Sequence, residues 1–190
     1  MSRAYRITVK ESVTREIKAG DEISTQLELL EILPPEAMGQ LLREELKGRG
    51  FAENDDGTLS RTDGNITVTV DPCNGEVTVK AEAKEDVTVE GTKDASAWED
   101  AGPTRQAVSD KAREQLRKDL DKKIDREQER LQTQATDELE KHLHDLQPEI
   151  GEVVNKVTRE ALKQKAAQMG TIKEISEDDQ SGSMTIKVEV

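Results

Sequence analysis

Residues 116–146 read LRKDLDKKIDREQERLQTQATDELEKHLHDL. The apolar positions are Leu116, Leu120, Ile124, Leu131, Ala135, Leu139, Leu143 and Leu146, and Val108 and Ala112 lead into them. Nearly everything between is charged or amide-bearing. Recurrence at three and four residues, without alternation, is the pattern of a helix with one narrow apolar stripe. From Leu116 to Leu146 there are 30 residues and eight turns, or 3.75 residues per turn. A heptad coiled coil needs about 3.5, and a slower stripe drifts the other way around the helix. The spacing therefore predicts a nearly straight helix set against a second helix of its own kind, or against the segment after Pro148. Glu127 and Gln128 interrupt the stripe midway.

Pro148 lacks an N–H and crowds the preceding turn, so it is expected to end or kink the helix. Beyond it, Ile150, Val153, Val154, Val157 and Leu162 keep the helical spacing to Met169, and Gly170 is the expected stop. A helix of that length before Pro148 would reach roughly 66 Å at 1.5 Å per residue. It would outrun a small β domain, so an arm that protrudes or pairs is expected. Residues 105–170 hold 14 basic and 14 acidic side chains. A neutral arm can approach a copy of itself. The expected self-association surface is Leu116, Leu120, Ile124, Leu131, Leu139 and Leu143.

The rest of the chain reads as sheet. In AYRITVKESVTREI, residues 4–17, Ile7, Val9, Val13 and Ile17 share one parity against polar neighbours. Period two marks a half-buried strand. KAGD with Gly20 suggests a turn into ISTQLELLEI, hence an N-terminal hairpin. LPPEAMGQLLREELKGRGF carries a helix with Pro35 at its start, Met38, Leu41, Leu42 and Leu46 on one face, and Gly48 or Gly50 at its end. Phe51 is expected to fold back onto that face. Short runs rich in Val and Thr follow, separated by DDG and DPCNG turns. Ile66, Val68 and Val70 would share a face with Val77, Val79 and Ala81 on the next strand. The chain closes in an alternating hairpin around Met184, Ile186 and Val188. The fold class expected is α+β, an antiparallel sheet with one short helix, a long helical arm broken near Pro148 and a C-terminal hairpin. The expected division is an α+β domain over 1–91, an acidic linker over 92–103 bearing Trp98, the arm over 104–170, and a hairpin over 171–190 joining the N-terminal sheet.

Composition narrows the function. Of 190 residues, 36% are charged and only 2% aromatic, so the core must be built from thin aliphatic layers. The net charge is −13, with 12 basic and 22 acidic residues in 1–104. That balance repels phosphate backbones and anionic lipid, so neither nucleic acid nor membrane is the expected partner. One cysteine, no signal-peptide core and no stretch of about 20 apolar residues fit a soluble cytoplasmic chain.

His142 and His144 are the only histidines. Two residues turn a helix by about 200°, so they point apart, whereas a helical zinc pair sits four residues apart. Glu138 and Glu140 each lie four residues earlier, an ordinary helix-surface pairing. Acidic AENDDG and SEDDQSG lack the ligand alternation of an EF-hand. Cys73 sits in a turn with no histidine near it in sequence. No phosphate loop, dinucleotide fingerprint or nucleophile elbow occurs. No metal, cofactor or catalytic residue is expected. A metal or thiol enzyme using His142, His144 or Cys73 is the alternative to a non-enzymatic scaffold, and a chaperone-like clamp is a third reading.

YRITVKES at 5–12 with ELLEILPPEAMGQLLREELKGRGF at 28–51, and DGNITVTVDPCNGEVTVKAE at 63–82, resemble the accessory domains of bacterial multi-gene systems. Those systems are built around an AAA+ ATPase or membrane AAA+ protease. The likeness covers roughly the first 90 residues. It implies an accessory or adaptor role near an ATPase, not an ATPase, and carries over no functional residue.

Overall fold

The computed structural model describes residues 4–98, 104–178 and 183–189. The chain runs β1 (Ala4–Gln26), α1 (Pro35–Gly48), β2 (Ala52–Glu53), β3 (Leu59–Asp63), β4 (Ile66–Val70), β5 (Glu76–Trp98), α2 (Arg105–Met169), β6 (Thr171–Asp178) and β7 (Ser183–Glu189). A five-stranded antiparallel sheet has the order β1-β5-β4-β3-β2, and β6 and β7 form a separate two-stranded sheet. The class is α+β, with one short helix, one helix of 65 residues and a C-terminal hairpin. By contacts the chain divides into two units. Unit 1 holds Met1–Gly20 and Glu82–Thr136, and unit 2 holds Asp21–Ala81 and Asp137–Val190.

Several expected breaks are absent. β1 runs through Gly20 without a turn, and the two runs around EVTVKAEA and DVTVEGT are one strand. Residues 92–98, read as linker, belong to β5, while 99–103 and the Trp98 side chain lie outside the described residues. The C-terminal hairpin does not join the N-terminal sheet. Pro148 lies inside α2, which neither stops nor reverses there.

In unit 1, β1 and β5 form a ribbon with α2 on one face. Thr8 donates to Asp94 at 2.6 Å and Thr14 meets Thr88 at 2.9 Å, six residues on along both strands, so no bulge intervenes. The inward residues are Ile7, Val9 and Ile17 of β1 with Ala83, Val87 and Val89 of β5. Polar Lys84, Glu85 and Asp86 separate the two apolar runs without shifting their parity, so one strand satisfies both. The helix contributes Ala112, Leu116, Leu120, Ile124, Leu131 and Ala135, all buried. A Cβ on Gly91 would stand 2.7 Å from Leu116 Cδ1 and 3.0 Å from Leu120 Cδ2, so glycine here lets the helix settle on β5. The stripe thus faces a sheet, not another helix, which removes any need for heptad spacing.

Both flanks of the helix are laced to this ribbon. Toward β1, Arg117 pairs with Glu11 at 3.2 Å and Arg15 with Asp121 at 3.0 Å. Toward β5, Lys93 holds Asp119 at 2.7 Å and Lys123 donates to the Glu90 carbonyl at 3.0 Å. The Lys93 ammonium lowers the Asp119 carboxyl below its ordinary range. Such exposed pairs are each worth roughly 0–1 kcal/mol, so they set lateral position more than stability. At the polar gap in the stripe, Arg130 spans Glu127 and Glu85, each at 2.7 Å. Glu85 occupies an inward-parity position on β5, which explains why the helix turns polar opposite it. Gln132 donates to the Gly20 carbonyl at 2.9 Å and its side-chain oxygen accepts from the Gly20 N–H at 3.4 Å, bonding strand backbone where a turn was expected.

In unit 2 the strand pairing matches the alternation. Ile66 faces Ala81, Val68 faces Val79 and Val70 faces Val77. α1 lays Met38, Leu42 and Leu46 into the same core. Pro34 and Pro35 start it without a side-chain cap, and Gly50 at φ 86° ends it. Phe51 is buried, its N–H bonded to the Leu46 carbonyl at 3.1 Å. A Cβ on Gly39 would lie 2.8 Å from the Pro72 carbonyl oxygen, so α1 touches the β4–β5 turn directly. Here α2 contributes buried Leu139, Leu146, Val153, Val157 and Ala161. Packing on both sides of Pro148 outweighs the roughly 3 kcal/mol that proline costs inside a helix. The β6–β7 hairpin is tied to α2 through Glu177, which meets Lys163 at 3.1 Å and Arg159 at 3.7 Å.

Candidate functional site

The described residues contain no group of three His, Cys, Asp or Glu side chains able to hold a metal. His142 is half-buried and His144 exposed, two positions apart on α2. Cys73 is exposed. Its N–H bonds the Asp71 side chain at 2.8 Å within the DPCNG turn, and it borders a shallow depression with Gly39 and Arg43. The structure does not bring these sequence candidates together into one acid, base and nucleophile arrangement.

The residues expected to self-associate have another place. Leu116, Leu120, Ile124, Leu131 and Leu139 are at most 4% exposed, covered by the chain's own strands and sheet. They are core, and their apolar area is not available to a second copy. Leu143 alone is half-buried. It lies at the edge of the stripe, where α2 leaves part of the unit 2 sheet uncovered.

Two features define that part of unit 2. The first is an ionic seam along one flank of α2. Arg61 of β3 donates two parallel hydrogen bonds to Glu149, at 2.7 and 2.8 Å, and stacks over the Phe51 ring at 4.7 Å. The bidentate geometry and the ring fix the guanidinium plane. The Arg61 hydrogen bonds hold the Glu149 carboxyl below its ordinary range, against some desolvation. Beside it, Arg49 reaches Glu45 at 2.8 Å and Glu152 at 3.2 Å, and Lys156 reaches Glu45 at 2.6 Å. Burial alone would raise the Glu45 carboxyl, but Lys156 and Arg49 together bring it below its ordinary range.

The second feature is an apolar groove of about 380 Å³ on the opposite flank. Val77 and Val79 of β5 supply its base, and Ile23 and Leu27 one side. Leu143, Leu146, Ile150 and Val154 of α2 supply the other. Ile23 is 46% exposed, high for an isoleucine on a sheet. Alternation flagged Ile23 as apolar strand and helical spacing flagged Ile150 and Val154. Neither signal could show that these residues share an open cleft, because that depends on which flank of α2 the sheet leaves bare.

A sheet carrying a helix along its face, with one flank of that helix bonded and the other open, defines an α+β module with an apolar cleft. The chain belongs to the FtsH ternary system domain X5 family, whose model matches residues 1–190. It is therefore a component of an FtsH ternary system, FtsH being an AAA+ protease, and association with that system is implied by the family. The family covers the whole chain, including the long helix and C-terminal hairpin, and not only the first 90 residues. Nothing matches among curated proteins or among solved structures. No helix of the described residues is long and apolar enough to cross a membrane.

Proposed function

We propose that the chain is a non-enzymatic, protein-binding adaptor of its FtsH system. The observation that carries this reading is the open apolar groove in unit 2, where exposed Ile23 faces half-buried Leu143, Ile150 and Val154. An aliphatic cleft without converging acid–base groups suits recognition of a polypeptide better than turnover of a small molecule. The separate placements of His142, His144 and Cys73 support the non-catalytic half of the proposal. Self-association through the α2 stripe forms no part of it, since that stripe is internal.

The test is affinity capture with the tagged full chain from detergent-solubilised native cells, probing for the AAA+ protease and its system partners. Enrichment over an unrelated acidic protein of similar charge is expected, with the His142→Ala/His144→Ala and Cys73→Ser variants capturing equally. Absence of any system component, or loss of capture in those variants, would overturn the proposal.

A further inference from the structure

We infer that the unit 2 groove seats a basic amphipathic helix of a partner protein. This rests on the adaptor reading and names the chemistry of its ligand.

The two flanks of α2 in this unit differ in kind. One carries Glu149, Glu152 and Lys156, engaged by Arg61 of β3, by Arg49 just after α1 and by Glu45 of α1. The other presents Leu143, Ile150 and Val154, all only half-buried, across the cleft from exposed Ile23. Leu143 to Val154 is eleven residues, which at 1.5 Å each gives a wall of about 16 Å, three turns of a helix lying alongside. A helix resting on a sheet face beside another sits about 8–10 Å from it, and small residues at the contact bring the axes closer. Gly151, one turn beyond Gln147 on that flank, has nothing within 4 Å of where its Cβ would be. A mid-helix glycine costs about 1 kcal/mol relative to alanine, and no internal contact requires it here. Close approach of an outside helix gives it a role.

Charge selects the occupant. Glu28 is the one charged residue lining the groove, and no lysine or arginine lines it. Glu140 lies one turn before Leu143 and His144 on the same helix. Glu28 and Glu140 are both exposed, and among the described residues neither is in an ion pair. An aliphatic cleft bordered by unpaired carboxylates complements a helix with apolar residues on one side and Lys or Arg beside them. A second copy of this chain fits poorly. Its net charge is −13 and its long apolar helix stripe is already buried.

The probe is a fluorescein-labelled peptide of about 15 residues, long enough to hold helix, with Leu at i, i+3, i+4 and i+7 and Lys elsewhere. Its twin has Glu in place of each Lys. Titrated with the full chain, the Lys peptide is expected to raise anisotropy saturably, weaken with added salt, and gain helical circular dichroism. The Glu twin is expected to bind at least about tenfold more weakly. Ile23→Lys and Glu28→Lys, both at exposed positions, are each expected to weaken the Lys peptide about tenfold with an unchanged far-ultraviolet spectrum. Equal binding of both peptides, or binding untouched by both substitutions, overturns the inference. So does a dimer in sedimentation that Ile23→Lys splits into monomers, since the occupant is then a second copy. Capture of FtsH-system components that survives Ile23→Lys leaves the adaptor reading standing and removes this groove from it. Groove binding of the Lys peptide with no capture does the reverse.

Discussion

Pro148 offers the sharpest test of the helix. Replacing it by alanine restores an N–H that can bond the His144 carbonyl and removes the ring from the preceding turn. Alanine is favoured over proline inside a helix by about 3 kcal/mol. Proline also stiffens the unfolded chain, which returns about 0.4–1 kcal/mol to the native protein and is lost on substitution. Residue 148 is exposed on α2, so no packed contact is forfeited. The net expectation is a gain of about 2 kcal/mol. For a chain of this size that is a rise in Tm of about 4–8 °C. Urea unfolding followed at 222 nm should show a higher midpoint with an unchanged slope, since the surface exposed on unfolding does not alter. Equal or lower stability in Pro148→Ala would refute the reasoning. It would mean that the seating of Leu146 and Val153 depends on a bend that only proline supplies.

Two glycines in helices should respond with opposite sign. Gly151→Ala is expected to stabilise by about 1 kcal/mol, whereas Gly39→Ala meets the Pro72 carbonyl oxygen at 2.8 Å and should destabilise despite better propensity, both read by thermal unfolding. Leu120→Ala should cost about 2–5 kcal/mol as a core truncation, with no change in sedimentation, and a wild-type oligomer dissociated by it would restore the self-association reading. Arg61→Gln with Glu149→Gln should show a coupling of about 1 kcal/mol in a double-mutant cycle, the pair being partly solvated. The Glu149 carboxyl is depressed in the folded state. Its contribution is therefore full above the ordinary glutamate value near 4.3 and is lost as pH falls through the lower folded one. Wild type should lose more stability than Glu149→Gln across that acid range.

The helix, the β4–β5 hairpin with its register, and the Phe51 return were legible because each is a local period or a local turn. What escaped was continuity. Lys84, Glu85 and Asp86 look like a break between strands, yet they preserve parity, and parity is what a ribbon needs. Gly20 looks like a turn until Gln132, far along the chain, bonds its backbone. Pro148 looks like a terminus because propensity counts one residue, whereas packing before and after it acts together. The stripe leucines were rightly apolar but assigned to an outside partner. Their spacing, wrong for a heptad seam, is that of a helix lying on a sheet, and the period alone does not name the surface it meets. The groove was illegible for the same reason, being the part of the sheet that α2 does not reach.

β1 closes on partners that arrive late. Thr8 waits for Asp94, and Glu11 for Arg117, 106 residues downstream. During synthesis at about 5–20 residues per second the first strand stays unpaired for several seconds after it emerges, with Ile7, Val9 and Ile17 in water. Its charged alternate positions, Arg6, Lys10, Glu16 and Lys18, therefore serve the nascent chain as much as the finished one. They keep an unmatched edge from recruiting a neighbouring chain before its own strand arrives.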